Sequence, residues 1–197
     1  MTASSPSPRG RPRDAAIDEA VLSTTVRLLA ERGYAGLRVD DVAATARVAK
    51  TTVYRRWPSL AHLAVAAMER ALGDRTVTPT GDLLADADRL VEVALTPLAE
   101  AGRTLLAAAL AIHEHQDAEL RTRYRTRIID PVRDQAVALI RGGVERGQLA
   151  PGTDPEALAD AVIGGLVYRL VVLGEPVGQE EARSFVRTIL RGAQAPL

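Results

Sequence analysis

A chain of 197 residues, 47% apolar and 25% charged, has material for one core or two small ones, and without a single Cys it excludes disulfide frameworks, thiol nucleophiles and Cys-ligated metal centres. Aromatics make up only 3%, so the apolar content is largely Ala, Leu and Val, a composition that favours helices. The 25 basic residues balance the 25 acidic ones, yet residues 1–60 hold ten against six and residues 61–197 fifteen against nineteen, a basic head on an acidic body that points to an anionic partner for the head.

Residues 1–13 combine Ser, Pro, Gly and Arg and read as a disordered basic arm. From Asp14, the spacing of Ile17, Val21, Thr24 and Leu28 predicts a first helix that Gly33 stops. Val39, Val42, Ala43 and Ala46 predict a short second helix. Val53 and Trp57 mark the inner side of a third, ended by Pro58. Ser59 caps a fourth, with Leu60, Leu63, Ala64, Ala67 and Met68 inward and Gly73 at its end. After a linker at 76–81, Leu84, Ala87, Val91, Ala94, Leu95 and Leu98 form a fifth stripe that Pro97 kinks or ends. Leu105, Leu106, Leu110 and Ile112 lie on a sixth, and a long seventh runs from about Asp117 to Gly147, interrupted by Pro131. Asp154-Pro155-Glu156 opens an eighth that continues through Leu158, Val162, Leu166 and Leu170 to Gly174, and a ninth carries Phe185, Val186, Ile189 and Leu190. There is no alternating run of strand length, so the fold class is all-α with about nine helices.

The longest apolar runs, Leu105 to Ile112 and Ala161 to Tyr168, fall far short of the ~20 residues of a membrane span, and the first residues lack the apolar stretch of a secretory signal. A cytoplasmic protein without a membrane partner is expected.

Two short helices joined by about three residues meet the requirement of a helix-turn-helix, whose second helix is free to enter a major groove. Lys50, Thr51, Thr52, Tyr54, Arg55 and Arg56 then present donors or charge outward, a set suited to phosphate contact and base reading. The run Arg38-Val39-Asp40-Asp41-Val42-Ala43 through Lys50-Thr51-Thr52-Val53-Tyr54-Arg55-Arg56-Trp57, with Gly33-Tyr34 and Gly36-Leu37 before it, resembles the DNA-binding signature of the TetR family of transcriptional regulators. The likeness covers residues 14–73 in detail and the remainder in helix number and order. It implies a helix-turn-helix domain at 14–60, a connecting fourth helix at 61–75, and a body at 82–197 that binds an effector and dimerises through its last two helices. Ala161, Gly164 and Gly165 would allow close helix approach there, and Leu166, Leu170, Phe185 and Ile189 would supply apolar area.

Three positions depart from the family pattern. Arg47 stands where the turn commonly has Gly, so a non-glycine residue is asked for a positive φ. Ala49 replaces a capping hydroxyl, at a cost of about 1 kcal/mol. Leu60 replaces a Lys that would meet phosphate. Arg9-Gly10-Arg11-Pro12-Arg13 resembles a minor-groove hook, with simple phosphate attraction as the other reading. The DNA-contact set is therefore Arg9, Arg11, Arg13, Arg38, Arg47 and the residues of the third helix.

For the body, Pro97 and Pro131 point to helices bent around an aliphatic cavity bordered by the fifth to eighth helices, a site for a small lipophilic effector. Candidate contacts are Met68, Leu95, Leu106, Leu110, His113, Tyr124, Ile128, Tyr168 and Arg169. His113 and His115 are two apart on a helix and point away from each other, so no metal site is read there. Arg121, Arg123, Arg125 and Arg127 spray around their helix as a solvated surface. No nucleophile triad, phosphate loop or carboxylate pair stands out, so neither an enzyme nor a cofactor is expected. Two function classes stay open: a homodimeric repressor on a pseudo-palindromic double-stranded operator, released by its effector, and a helical ligand-binding or adaptor protein whose head has lost DNA affinity through Arg47, Ala49 and Leu60.

Overall fold

The computed structural model describes residues 11–100, 109 and 117–194. Among these residues there are helices and no strand, and the chain divides into two compact units: a head of residues 1–71 and 103–123, and a body of residues 72–102 and 124–197.

In the head, α1 runs from Arg11 to Gly36. It starts three residues before the expected point, because Pro12 lacks an N–H that the first turn would leave unpaired anyway and Asp14 sets an acid near the positive helix end. Residues 11–13 are thus helical rather than part of an arm. Gly33 breaks the helix with φ 67° and ψ 175°, as its place in the sequence predicts. The buried stripe is Val21, Thr25, Leu28 and Leu29, with Thr25 rather than Thr24 inside, its hydroxyl satisfied by donating to Val21 O at 2.7 Å. Helix α2 spans Val39–Ala46 and buries Val39, Val42 and Ala43. Arg47 ends it in the left-handed region, φ 56° and ψ 43°, a conformation costing a non-glycine residue roughly 1–2 kcal/mol. Helix α3 spans Lys50–Arg56, with Ala49 at its N-cap making no side-chain cap and Val53 fully buried. Ser59 Oγ accepts from His62 N–H at 3.2 Å and starts α4, Leu60–Leu72, where Leu63, Ala64, Ala67 and Met68 are buried.

The body opens with α5, Leu83–Glu100, capped by Asp82, whose Oδ1 accepts from the amides of Leu84 (3.0 Å) and Ala85 (3.1 Å). Pro97 neither ends α5 nor shortens it, since the helix runs three residues further. Asp86, fully buried, takes the amides of Thr80 (2.9 Å) and Gly81 (3.1 Å) and the Thr80 hydroxyl (2.7 Å), which pins the preceding linker to α5. Burial pushes this carboxyl up, and the donations from Thr80 and Gly81 with the charge of Arg89 outweigh that and hold it below its ordinary value.

The long seventh helix of the sequence reading is α6, Ala118–Tyr124, a π-helical segment Arg125–Ile129, and α7, Asp130–Glu145. Pro131 cannot donate to Arg127 O and would crowd that carbonyl. The wide turn, closed by Asp130 N–H to Arg125 O, resets the ladder so that Pro131 falls in the first turn of α7. Asp154 caps α8, Pro155–Val167, through the amides of Glu156 (3.0 Å) and Ala157 (3.2 Å), and a second π-helical segment, Tyr168–Val172, follows. Helix α9 spans Gln179–Gly192. The predicted sixth helix lies outside the described residues.

Polar rows join the body helices in pairs. Gln179–Thr96 (2.9 Å), Arg183–Glu92 (3.2 Å) and Arg187–Asp88 climb α9 as they descend α5, so these two helices are antiparallel. Arg133–Asp160 (2.7 Å) and Arg141–Glu156 (3.5 Å) do the same for α7 and α8.

Candidate nucleic-acid interface and body cavity

The short α3 cannot hide more than one edge. Val53 anchors it, and Lys50, Thr51, Tyr54 and Arg55 stand exposed, with Tyr54 at 43% and Thr52 half-buried. Lys50 Nζ lies 2.6 Å from Asp40 Oδ1 of α2 and 5.9 Å from the centre of the Tyr54 ring. The hydrogen bond to Asp40 holds the ammonium above its ordinary pKa. Arg32 is likewise bound to Asp41 at 2.6 Å.

Arg56 is turned the other way. Its side chain is only 16% exposed and its Nε lies 2.5 Å from Asp18 Oδ1 of α1, so it locks α3 to the head rather than standing with the outward set. The sequence reading placed it with the outward set. An inner position on a seven-residue helix with one anchor residue leaves room for an aliphatic stem, and Asp18 supplies the countercharge. Arg38 Nη1 is folded back onto Ala35 O (2.7 Å) and Leu37 O (3.0 Å). Arg47 is exposed. Arg9 lies outside the described residues, and Arg11 and Arg13 occupy the first turn of α1 instead of an extended hook.

The start of α6 belongs to the head and meets α1 and α4. Tyr34 donates to Asp117 Oδ2 at 3.3 Å, and burial followed by the Asp117 charge drives its phenol well above the ordinary range. Ser59 Oγ lies 2.9 Å from His62 Nδ1 and donates to Glu119 Oε2 at 3.2 Å, while His62 Nδ1 is 3.2 Å from Glu119 Oε1. Arg123, then Ser59 and His62, holds the Glu119 carboxyl below its ordinary value. Sequence reasoning found no Ser, His and acid together, since 60 residues separate Ser59 from Glu119. A nucleophile relay needs the hydroxyl on one ring nitrogen and the acid on the other. Here both meet Nδ1, an arrangement that caps α4 and ties it to α6.

In the body, α5, α7, α8 and α9 line a half-open cavity of about 90 Å³. Every lining side chain is Ala, Val, Leu or Ile, among them Leu90 and Leu95 of α5, Ala136 and Ile140 of α7, Ile163 and Leu166 of α8, and Val186 and Leu190 of α9.

Two family models match the chain. Residues 21–67 match the model described as "Bacterial regulatory proteins, tetR family", and residues 77–189 match "Tetracyclin repressor-like, C-terminal domain". The chain belongs to the TetR family of transcriptional regulators. Relatives of this DNA-binding TetR-family protein include the HTH-type transcriptional regulator YdeS of Bacillus subtilis (strain 168), 32% identical over 194 residues and 96% of each chain. Another is the DNA-binding transcriptional repressor TetR of Mycobacteroides abscessus, 30% identical over 86% of this chain and 87% of its own. Among solved structures, the TetR family transcription regulator SCO0332 is 29% identical with TM-score 0.63, covering 91% of this chain and 99% of its own. A transcriptional regulator from Saccharomonospora viridis in complex with choline shares the fold at 23% identity and TM-score 0.65, over 90% and 96%.

In this TetR-family body the candidate effector contacts scatter. Leu95 lines the cavity. Met68 is buried in the head unit. Ile128 is buried and Tyr124 half-buried with its phenol pushed up by burial, yet neither borders the cavity. Tyr168 is 52% exposed, and Arg169 is bound to Glu175 (3.4 Å) and Glu181. Leu106, Leu110 and His113 lie outside the described residues. The border also differs from expectation in including the ninth predicted helix. Among the described residues no helix is long and apolar enough to cross a membrane.

Proposed function

We propose that this TetR-family regulator is a repressor that binds a pseudo-palindromic operator as a homodimer and is released by a small lipophilic effector. One observation carries the effector half: a wholly aliphatic cavity inside the body of a chain whose head is a DNA-binding helix-turn-helix. The repressor named in Mycobacteroides abscessus supports the sign of regulation. One seven-residue recognition helix reads too few base pairs for genomic specificity, which supports two heads on one site.

The exposed apolar run Val167, Tyr168, Val172 and Leu173 at the end of α8 supports dimerisation there, with Ala161 and Gly164 also exposed. Gly165 and Leu166 drop out of that role. A Cβ on Gly165 would come within 2.4 Å of the chain's own Phe185, and Leu166 faces the cavity. On DNA, Lys50 and Tyr54 hold phosphates while Thr52 and Arg55 reach base edges.

The test is fluorescence anisotropy on a duplex from upstream of the protein's own gene, at several salt concentrations, with n-alkanols of rising chain length added. Saturable binding by a dimer, lost on addition of one chain-length class, is expected. A guest that favours the DNA-free state ~100-fold shifts the balance by about 2.7 kcal/mol. Monomeric sedimentation at micromolar concentration with and without DNA would overturn the two-headed reading.

A further inference from the structure

We propose that Asp40 is a specificity-determining residue of the DNA interface: its carboxylate holds the Lys50 ammonium away from phosphates that approach without docking, and so suppresses binding to duplexes of arbitrary sequence. This rests on the reading of Lys50 as a phosphate contact.

The pair is well placed for such a role. Lys50 is the first residue of α3 and Asp40 lies in the first turn of α2, and their charged atoms are 2.6 Å apart with side chains 50% and 69% exposed. A cation at a helix N-terminus opposes the helix dipole, and Ala49 offers no cap, so the acid from α2 supplies what α3 lacks. Tyr54 closes the cluster, with the ammonium 5.9 Å from its ring. An exposed ion pair is weak, so a phosphate docked within hydrogen-bond reach can take the ammonium over. A phosphate met only at long range, through water and salt, cannot compete with direct contact at 2.6 Å and sees a neutral pair instead. Binding to arbitrary DNA is nearly all sequence-independent attraction between cations and phosphates. The pairing therefore makes Lys50 act on docking and stay silent before it. Asp41 holds Arg32 in the same way one residue on, so two cations of a basic head are muted by one turn of α2.

The probe is a 30-base-pair duplex of arbitrary sequence, titrated against the full-length protein over a range of salt concentrations. D40N is expected to tighten binding about threefold per head, about tenfold for two heads, and to steepen the dependence of log K on log salt by about 0.9 per head. Glu31→Gln, which removes the same charge beside Arg27, controls for net charge and is expected to leave the slope unchanged. Adding Lys50→Ala to D40N is expected to abolish the gain. No tightening in D40N, equal tightening in Glu31→Gln, or a gain that survives Lys50→Ala would each overturn the proposal. The underlying reading fails separately, if Lys50→Ala alone leaves binding to the upstream duplex unchanged. Circular dichroism of each variant checks that the head stays folded.

Discussion

In the head, Lys50–Asp40, Arg32–Asp41 and Arg56–Asp18 tie α1, α2 and α3 together, whereas in the body Arg187–Asp88, Arg183–Glu92 and Arg133–Asp160 join antiparallel helices around a pocket lined by aliphatic side chains alone. The chemistry is the same and the use is opposite. In the head the apolar residues are scaffold and the charged surface meets the ligand. In the body the charged rows are scaffold, and the apolar interior is the surface proposed for the effector. Substitutions that confuse the two roles should separate them most clearly.

The largest effect is expected at Asp86, the buried acid of the body. Asp86→Ala strands the amides of Thr80 and Gly81 and should cost about 3 kcal/mol in denaturant unfolding. Because its folded pKa is depressed, its contribution is complete above the unfolded value of about 4 and is lost as pH falls through the lower folded value. The gap between wild type and variant should therefore narrow below about pH 4. Next comes Gly165→Leu, which drives a side chain into Phe185 and should cost about 1–3 kcal/mol, part of it recovered by adding Phe185→Ala.

Arg56→Ala tests the head. A locking residue gives about 1 kcal/mol of lost stability and equal weakening on every duplex, while a loss confined to one base position would return Arg56 to the reading surface. Smallest is Asp88→Asn, whose half-exposed partner limits the loss to about 0.5 kcal/mol, shrinking further in high salt.

The same contrast governs what could be read from the sequence. The helix boundaries around Gly33, Pro58 and Asp154 are local chemistry, and so is the left-handed Arg47, because a turn of this length needs one whatever residue fills it. The family signature around Lys50 to Trp57 carried the function of the head. The partners did not follow. Arg56 and Asp18 lie 38 positions apart, and the outward and inward edges of a seven-residue helix differ by one step of about 100°. In the body, Asp88, Glu92 and Thr96 recur at helical spacing, as do Gln179, Arg183 and Arg187, so both stripes were legible and their pairing was not. Tyr168 and Arg169 were candidate effector contacts, but Tyr168 stands in solvent and Arg169 is bound to Glu175 and Glu181. The aliphatic lining, by contrast, follows from a composition of Ala, Leu and Val.

Trp57, which ends the recognition helix, is the chain's single Trp and is half-buried. Its emission therefore reports the head alone, while far-ultraviolet ellipticity sums helices of both units. Two optical signals thus separate two unfolding events without any added label. Coincident transitions would mean that head and body melt as one cooperative body, and an emission change preceding the loss of ellipticity would mean that the head unfolds while the body stands.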